Sequence, residues 1–154
     1  MLVAPAKTAG AECRQHHPIA AAMTQKHSVL IVDDDADATE ALSLLFQHTG
    51  YEAFTAHTGE RALKIARAVL PSAIISDLGL AGMSGFDLCR SIRAMPGGAS
   101  LPIISLSGRG LPEDAAESKA AGFTAHVVKP ASFEHLAALI AAALAVPDTE
   151  AAAN

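Results

Sequence analysis

The sequence predicts an α/β fold in which five parallel strands, each followed by a helix, form one central sheet. Three observations lead to this prediction. Short apolar runs alternate five times with segments of helical periodicity. The connections between them are short, which favours parallel strands with helices on both faces of the sheet. The best-defined strand runs are continuously apolar, as in strands that are covered on both sides.

The first two strand–helix units cover the region up to Pro71. Residues 29–32 form an apolar strand, and the helix that follows ends at Gly50. Residues 51–56 form a short second strand. Thr58 is a candidate N-cap for the second helix, which Pro71 ends. The helical spacing predicts that one apolar stripe of the first helix faces the sheet: Ala38, Ala41, Leu42, Leu45 and Phe46.

The third unit contains the feature around which the chain is organised. Residues 73–77 form a buried apolar strand that ends on a single carboxylate, Asp77. A glycine-containing loop follows, and Ser84 can cap the next helix. A charge at this position is costly unless a cation or hydrogen bonds compensate it. Asp77 therefore needs partners; the alternative interpretation is an Asp that only caps the following loop.

The last two units complete the predicted sheet. Residues 102–107 form the fourth strand, and Pro112 lies in the first turn of the next helix, where its missing N–H is harmless. Glu113 and Asp114 suit the positive end of that helix, which Gly122 closes. The fifth strand is 125–128. Ser132 caps the last helix, whose apolar face is formed by Phe133, Leu136, Ala137, Ile140 and Leu144.

Five such units fit a flavodoxin-like three-layer sandwich with strand order 2-1-3-4-5. We expect residues 27–146 to form this domain, preceded by a flexible extension over 1–26 and followed by a disordered tail over 147–154. Lys7 and Glu12 interrupt the apolar core that a signal peptide needs. No run of eighteen apolar residues occurs, so membrane insertion is not expected.

Composition narrows the function classes. The chain of 154 residues is long enough for one domain. Its formal net charge is −5 and no Lys/Arg cluster appears, so nucleic-acid binding is not expected. The two cysteines, Cys13 and Cys89, are far apart, and a disulfide between them is not expected. This cysteine usage fits a reducing cytoplasm.

Polar residues end four of the five predicted strands. Asp33 and Asp34 follow the first strand, Asp77 ends the third, Ser107 ends the fourth and Lys129 follows the fifth. In open α/β sheets, ligands bind outside the carboxyl ends of the strands. Neighbouring carboxylates raise one another's pKa, which a divalent cation relieves, and hard oxygen ligands suit Mg²⁺.

This set of residues predicts phosphoryl transfer. A carboxylate such as Asp77 can act as a nucleophile and become an acyl phosphate. The metal and Lys129 can then neutralise the charge that is spread over the phosphoryl oxygens, and the Ser107 hydroxyl can donate a hydrogen bond to them.

The motifs at these strand ends resemble a known family. Val-Leu-Ile-Val-Asp-Asp-Asp over 29–35, Ile-Ile-Ser-Asp-Leu over 74–78 with Gly-Met-Ser-Gly over 82–85, Ile-Ile-Ser-Leu-Ser-Gly over 103–108 and Val-Val-Lys-Pro over 127–130 occur in that order. Together they are similar to the receiver domain of two-component response regulators. The resemblance covers about residues 27–146.

The resemblance implies a role for each acidic residue. Asp77 would be the phosphoacceptor. Asp34 would hold Mg²⁺ more directly and Asp33 partly through water, and the backbone carbonyl of Gly79 would be a further ligand. Asp35 would face solvent or cap the first helix.

It also implies roles for residues at the fourth and fifth strands. Ser107 would hydrogen-bond the phosphoryl group and move towards it on activation, and Lys129 would pair with the phosphate. The bond between Lys129 and Pro130 would be cis. Gly79 and Arg109 occupy positions that tune dephosphorylation.

The sequence departs from the family pattern at three positions. Ser107 stands where Thr is usual, and Ala81 stands where Pro is usual, so that loop is expected to be looser. His126 occupies the switch position that is usually aromatic. Its ring can change charge near neutral pH, although a surface His without a role is an equal alternative.

The implied partners are a sensor histidine kinase or a histidine phosphotransfer protein, and a downstream protein that reads the phosphorylated state. The chain would signal by protein contact or as an intermediate in a phosphorelay, without an output domain and without enzymatic activity of its own. Two alternatives stay open. One is a pseudo-receiver that binds a partner without being phosphorylated. The other is a haloacid-dehalogenase-like phosphatase, suggested by Asp35, Asp37 and Thr39.

Overall fold

The computed structural model describes residues 26–145. Cys13, the carboxyl-terminal tail and all but the last residue of the predicted amino-terminal extension lie outside this range. Within it, no helix has the length and the apolar character that crossing a membrane requires.

Five strands alternate with five helices along the described chain. They are β1 (Ser28–Val32), α1 (Ala36–His48), β2 (Glu52–Ala56), α2 (Gly59–Val69), β3 (Ala73–Asp77), α3 (Gly85–Ala94), β4 (Ile103–Ser107), α4 (Pro112–Ala121), β5 (Ala125–Val128) and α5 (Phe133–Ala145). All strand pairs are parallel, and the sheet order is β2-β1-β3-β4-β5. The predicted flavodoxin-like fold and strand order are confirmed.

Helices cover both faces of the sheet. Successive strand residues point to opposite faces, so each face contributes apolar side chains to a separate layer. In one apolar layer, strand side chains pack against side chains of α2 and α3. Its members include Leu30, Ile74 and Ile103 from the strands and Ala62, Leu88 and Ile92 from the helices. The other packs against α1 and α5: Val29, Ile75, Ile104, Phe46, Leu136 and Ile140. Both layers consist of fully or almost fully buried side chains. The result is a three-layer sandwich with the sheet as its middle layer.

Local sequence signals set the helix boundaries. Asp35, Thr58 and Ser84 have extended backbones and accept hydrogen bonds from N–H groups in the first turns of α1, α2 and α3. Pro112 begins α4, and Gly122 ends it with φ +109°. These residues act as the sequence predicts, and Asp35 caps the first helix.

The apolar stripe predicted for α1 is only partly correct. Phe46 is fully buried, but three of its predicted companions are exposed: Ala38, Ala41 and Leu45. Thr39 and Ser43 are buried instead, and their hydroxyls donate to the carbonyls of Ala36 and Glu40. Because the helix backbone satisfies these hydroxyls, burying them costs little.

Cys89 is fully buried in α3, and its thiol donates to the carbonyl of Ala121 at 3.4 Å. Burial raises the pKa of this thiol, which disfavours the reactive thiolate. Cys89 is therefore a free packing residue of α3.

Candidate functional site

Three carboxylates meet at the carboxyl edge of the sheet. The parallel register places Val32 opposite Ser76, so the residues that follow them, Asp33 and Asp77, lie side by side. One oxygen from each of Asp33, Asp34 and Asp77 lies within 4.8 Å of the others. The hydrogen bond with the Asp33 carboxyl group raises the pKa of Asp34, with further contributions from burial and from the charges of Asp33 and Asp77. The cluster therefore carries unfavourable negative charge.

Lys129 neutralises part of this charge. Its Nζ donates to Asp33 Oδ2 at 2.9 Å and lies 3.4 Å from Asp77 Oδ2. Burial alone would lower the pKa of Lys129, but the hydrogen bond to Asp33 and the charge of Asp77 outweigh it and raise the pKa. Lys129 is therefore a charged ammonium group shared by two carboxylates. Its peptide bond to Pro130 is cis.

The acidic cluster has the donor set that a hard divalent cation prefers. Three carboxylate groups face one ammonium group, which leaves negative charge in excess. Mg²⁺ is bound through carboxylate and carbonyl oxygens and keeps several water ligands. Asp34 is exposed to solvent, so one side of the cluster is open to those waters. The residues present therefore fit this ion.

The loop after β3 positions Asp77 through two glycines. The N–H of Gly79 donates to Asp77 Oδ1 at 3.3 Å, and Gly79 is itself exposed. Gly85, the first residue of α3, approaches the backbone of Asp77 and Leu78 so closely that an added Cβ would lie 2.8 Å from the Leu78 Cα. A larger residue at Gly85 would displace the loop. The sequence motif contained Gly85, but nothing in its pattern indicated this packing role.

Ser107 lies at the same edge of the sheet, but its hydroxyl is hydrogen-bonded to Asp114 and not to the carboxylate cluster. Its Oγ donates to Asp114 Oδ2 at 3.0 Å and accepts from the N–H groups of Arg109 and Gly110 at 3.3 Å each. The Arg109 guanidinium donates to Asp114 Oδ1 at 3.0 Å. Asp114, expected only to favour the start of α4, is thus a buried acceptor for two candidate site residues.

A cleft of about 340 Å³ connects these groups, and Asp77, Gly79, Ser107, Arg109, Asp114 and Lys129 are among the residues that line it. The cleft is large enough for a phosphoryl group beside Asp77. The structure therefore brings Asp77 of the carboxylate cluster, a hydroxyl, a guanidinium and an ammonium group to one opening.

His126 lies in β5 opposite Ser105 of β4. Its Nδ1 is 2.8 Å from the Ser105 hydroxyl and 3.2 Å from that of Ser118 in α4. Its Nε2 is buried and has no hydrogen-bond partner among the described residues. His126 therefore connects β4, β5 and α4 and is a half-buried side chain rather than a free surface group.

The motif that suggested a phosphatase serves the start of α1. Asp35 accepts from the N–H groups of Asp37 and Ala38, and the Thr39 hydroxyl donates to a helix carbonyl. Asp37 is exposed and is not a member of the carboxylate cluster. These residues have local structural partners, so the geometry does not favour that alternative.

Replacing Lys129 by Met should destabilise the protein. Met retains an apolar stem but leaves Asp33, whose side chain is only 7% exposed, without its charged donor. We expect the free energy of unfolding at pH 7, without metal, to fall by about 1–3 kcal/mol, towards the lower value since Lys129 is partly exposed. Urea denaturation measures this. Lys119→Met, at an exposed position in α4, is the control, and an equal loss in both variants would contradict the role of the ion pair.

Comparison with known proteins identifies relatives over the region that contains all five strands. A family model described as the response regulator receiver domain matches residues 29–141. The DNA-binding response regulator MtrA of Mycobacterium tuberculosis is 32% identical over 129 residues, covering 84% of this chain and 55% of MtrA. The transcriptional regulatory protein KdpE of the same organism is 35% identical over 116 residues, covering 75% of this chain and 50% of KdpE. The chain thus spans about half the length of these curated relatives.

A solved structure is also similar over most of the chain. The chemotaxis response regulator CheY4 of Vibrio cholerae is 33% identical, with a TM-score of 0.72 over 77% of this chain and 99% of CheY4.

Proposed function

The chain belongs to the receiver domains of two-component response regulators, and from this membership and the geometry of the site we propose that it accepts a phosphoryl group on Asp77 with the help of Mg²⁺. The observation that carries the proposal is the cluster of three carboxylates within 4.8 Å, with Lys129 shared between Asp33 and Asp77. Such a cluster can hold a cation beside a nucleophilic carboxylate.

The phosphodonor in this proposal is the phosphohistidine of a histidine kinase or a phosphotransfer protein. An oxygen of Asp77 forms a bond to phosphorus while the phosphorus–nitrogen bond of the donor breaks, and the electron pair of that bond stays on the imidazole nitrogen. Asp33, Asp34, Asp77 and the carbonyl of Gly79 would hold Mg²⁺. When bound, the ion supplies positive charge that stabilises the transferring phosphoryl group.

The chain's own residues complete the site on its other side. Lys129 lies 3.4 Å from Asp77 Oδ2 and would pair with a phosphoryl oxygen. Ser107 and Arg109 line the same cleft and can donate to the remaining oxygens. Arg109 and Gly79 line the cleft beside Asp77, and in this proposal both tune dephosphorylation by influencing the access of water to the acyl phosphate.

We propose that the phosphorylated state is read by a downstream protein at the α4–β5–α5 surface. Two apolar side chains beside the site support this proposal: Leu111 is 39% exposed and Val128 is 47% exposed. Ser107 contacts α4 through Asp114 and His126 contacts the same helix through Ser118, so a rearrangement of Ser107 can reach His126 through α4. The free, buried Cys89 is compatible with the reducing cytoplasm, where we place the protein.

Intact mass after incubation with acetyl phosphate tests this function. We expect a single phosphoryl adduct when Mg²⁺ is present and none when EDTA removes it. The absence of an adduct under both conditions would contradict the proposal and would favour a pseudo-receiver that binds its partner without phosphorylation.

A further inference from the structure

Two donors that face the cleft are bound to one buried carboxylate. The Ser107 hydroxyl lies 3.0 Å from Asp114 Oδ2, and the Arg109 guanidinium lies 3.0 Å from Asp114 Oδ1. Each oxygen of Asp114 therefore has its own donor. Asp114 and Ser107 are only 5% and 3% exposed, so water cannot easily replace the contact between them, whereas the Arg109 side chain is 71% exposed. Hydrogen bonds to an ionised acceptor in such a place are among the stronger ones in proteins.

The Ser107 hydroxyl cannot serve two anions at once. It has one hydrogen, and its oxygen already accepts from the N–H groups of Arg109 and Gly110. This arrangement directs its hydrogen to Asp114. A phosphoryl group on Asp77 would lie in the cleft that Ser107, Arg109 and Asp114 all line. To gain the hydroxyl as a donor, the phosphoryl group has to take it from Asp114.

Building on the proposed function, we propose that Asp114 is a positioning residue that competes with the phosphoryl group for Ser107 and Arg109. In the unphosphorylated protein Asp114 occupies both donors and so favours that state. When the donors turn to the phosphoryl group, Asp114 becomes a buried charge without partners, which is unfavourable unless its surroundings move. Asp114 belongs to the first turn of α4, so this competition couples phosphorylation to that helix.

The test uses beryllium fluoride, a small mimic of a phosphoryl group on a carboxylate, titrated at saturating Mg²⁺ and followed by the fluorine NMR signal of the bound form. We expect Asp114→Ala to lower the half-saturating concentration about tenfold, because the donors are released. Asp114→Asn keeps the shape but weakens the acceptor, so its effect should be intermediate. This isosteric variant also keeps the test open if the Ala variant does not fold.

Glu113→Ala is the matched control, because Glu113 is an exposed acid in the same helical turn. Its effect should stay below about twofold, as expected for a solvent-screened charge. In a Ser107→Ala background the effect of Asp114→Ala should shrink, since the hydroxyl that links the two sites is gone. An equal effect in both backgrounds would overturn the competition.

The outcomes separate the two proposals. If the wild type binds beryllium fluoride and Asp114→Ala and Asp114→Asn bind it no better than Glu113→Ala, the inference about Asp114 is wrong while the proposed function stands. If the wild type binds none, the proposed function fails, and the inference fails with it.

Discussion

The Asp77→Asn variant is expected to take up no phosphoryl group from acetyl phosphate, whether or not Mg²⁺ is present. The carboxylate oxygen is the nucleophile in the proposed reaction, and the neutral amide of Asn is a far weaker one, so we expect a loss of about 10³-fold or more in the rate of adduct formation. Asn has nearly the same shape, and removing one of three clustered charges does not threaten the fold. Intact mass over a time course measures the loss.

Asp87→Asn is the matched control for this experiment. Asp87 lies in the first turn of α3, is exposed and is paired with Arg90 at 3.0 Å. The substitution removes one carboxylate that is close to the site in sequence but is not part of the cluster. The Asp87→Asn variant should therefore be phosphorylated at the wild-type rate. Adduct formation by Asp77→Asn at that same rate would show that the phosphoacceptor lies elsewhere.

The second large effect concerns Asp34 and the metal. Mg²⁺ should raise the melting temperature of the wild type, because a ligand that binds only the folded state stabilises it. Asp34→Asn should abolish most of this rise, through a loss in Mg²⁺ affinity of about tenfold or more once a charged ligand is gone. Calorimetry with and without Mg²⁺ measures the melting temperature of the wild type and of the Asp34→Asn variant.

Without metal, the same substitution should act in the opposite direction. The folded-state pKa of Asp34 is raised, so its neutral form is favoured and the stability it contributes is lost as pH rises through that pKa. At pH 7 the carboxylate therefore destabilises the folded protein, and Asp34→Asn should raise the metal-free melting temperature. Asp37 is an exposed acid on α1, so Asp37→Asn should change neither the metal-free melting temperature nor the rise that Mg²⁺ produces. A Mg²⁺ response that depends on Asp37 rather than Asp34 would contradict the assignment.

The parts of the fold that follow from short-range chemistry could be predicted from the sequence. Apolar runs buried on both faces identified the strands, and caps such as Thr58 and Ser84 identified helix starts. Parallel strands bring their carboxyl ends to one edge, which explains why the sequence alone predicts that Asp33, Asp77 and Lys129 lie together. Their contacts require only the register of neighbouring strands.

The contact between Ser107 and Asp114 could not be predicted in this way. It depends on the turn over 108–111, in which Gly110 has φ +67°, and this turn brings the first turn of α4 back over the end of β4. The periodicity of α4 gave no help, because a buried acid in the first turn looks the same as an exposed one. The α1 stripe failed for a related reason, since the burial of Ala38 or Thr39 depends on which elements pack nearby.

Chemical location of the phosphoryl group tests the central claim most directly. Borohydride reduces an acyl phosphate of aspartate to homoserine, which tandem mass spectrometry can locate. Trypsin cleaves after Arg67 and Arg90, and the peptide between them contains Asp77 and Asp87 as its only acidic residues. After treatment with acetyl phosphate and Mg²⁺, we predict homoserine at position 77 and aspartate at position 87. Homoserine at Asp37 or at any position other than 77, with Asp77 unchanged, would contradict the account.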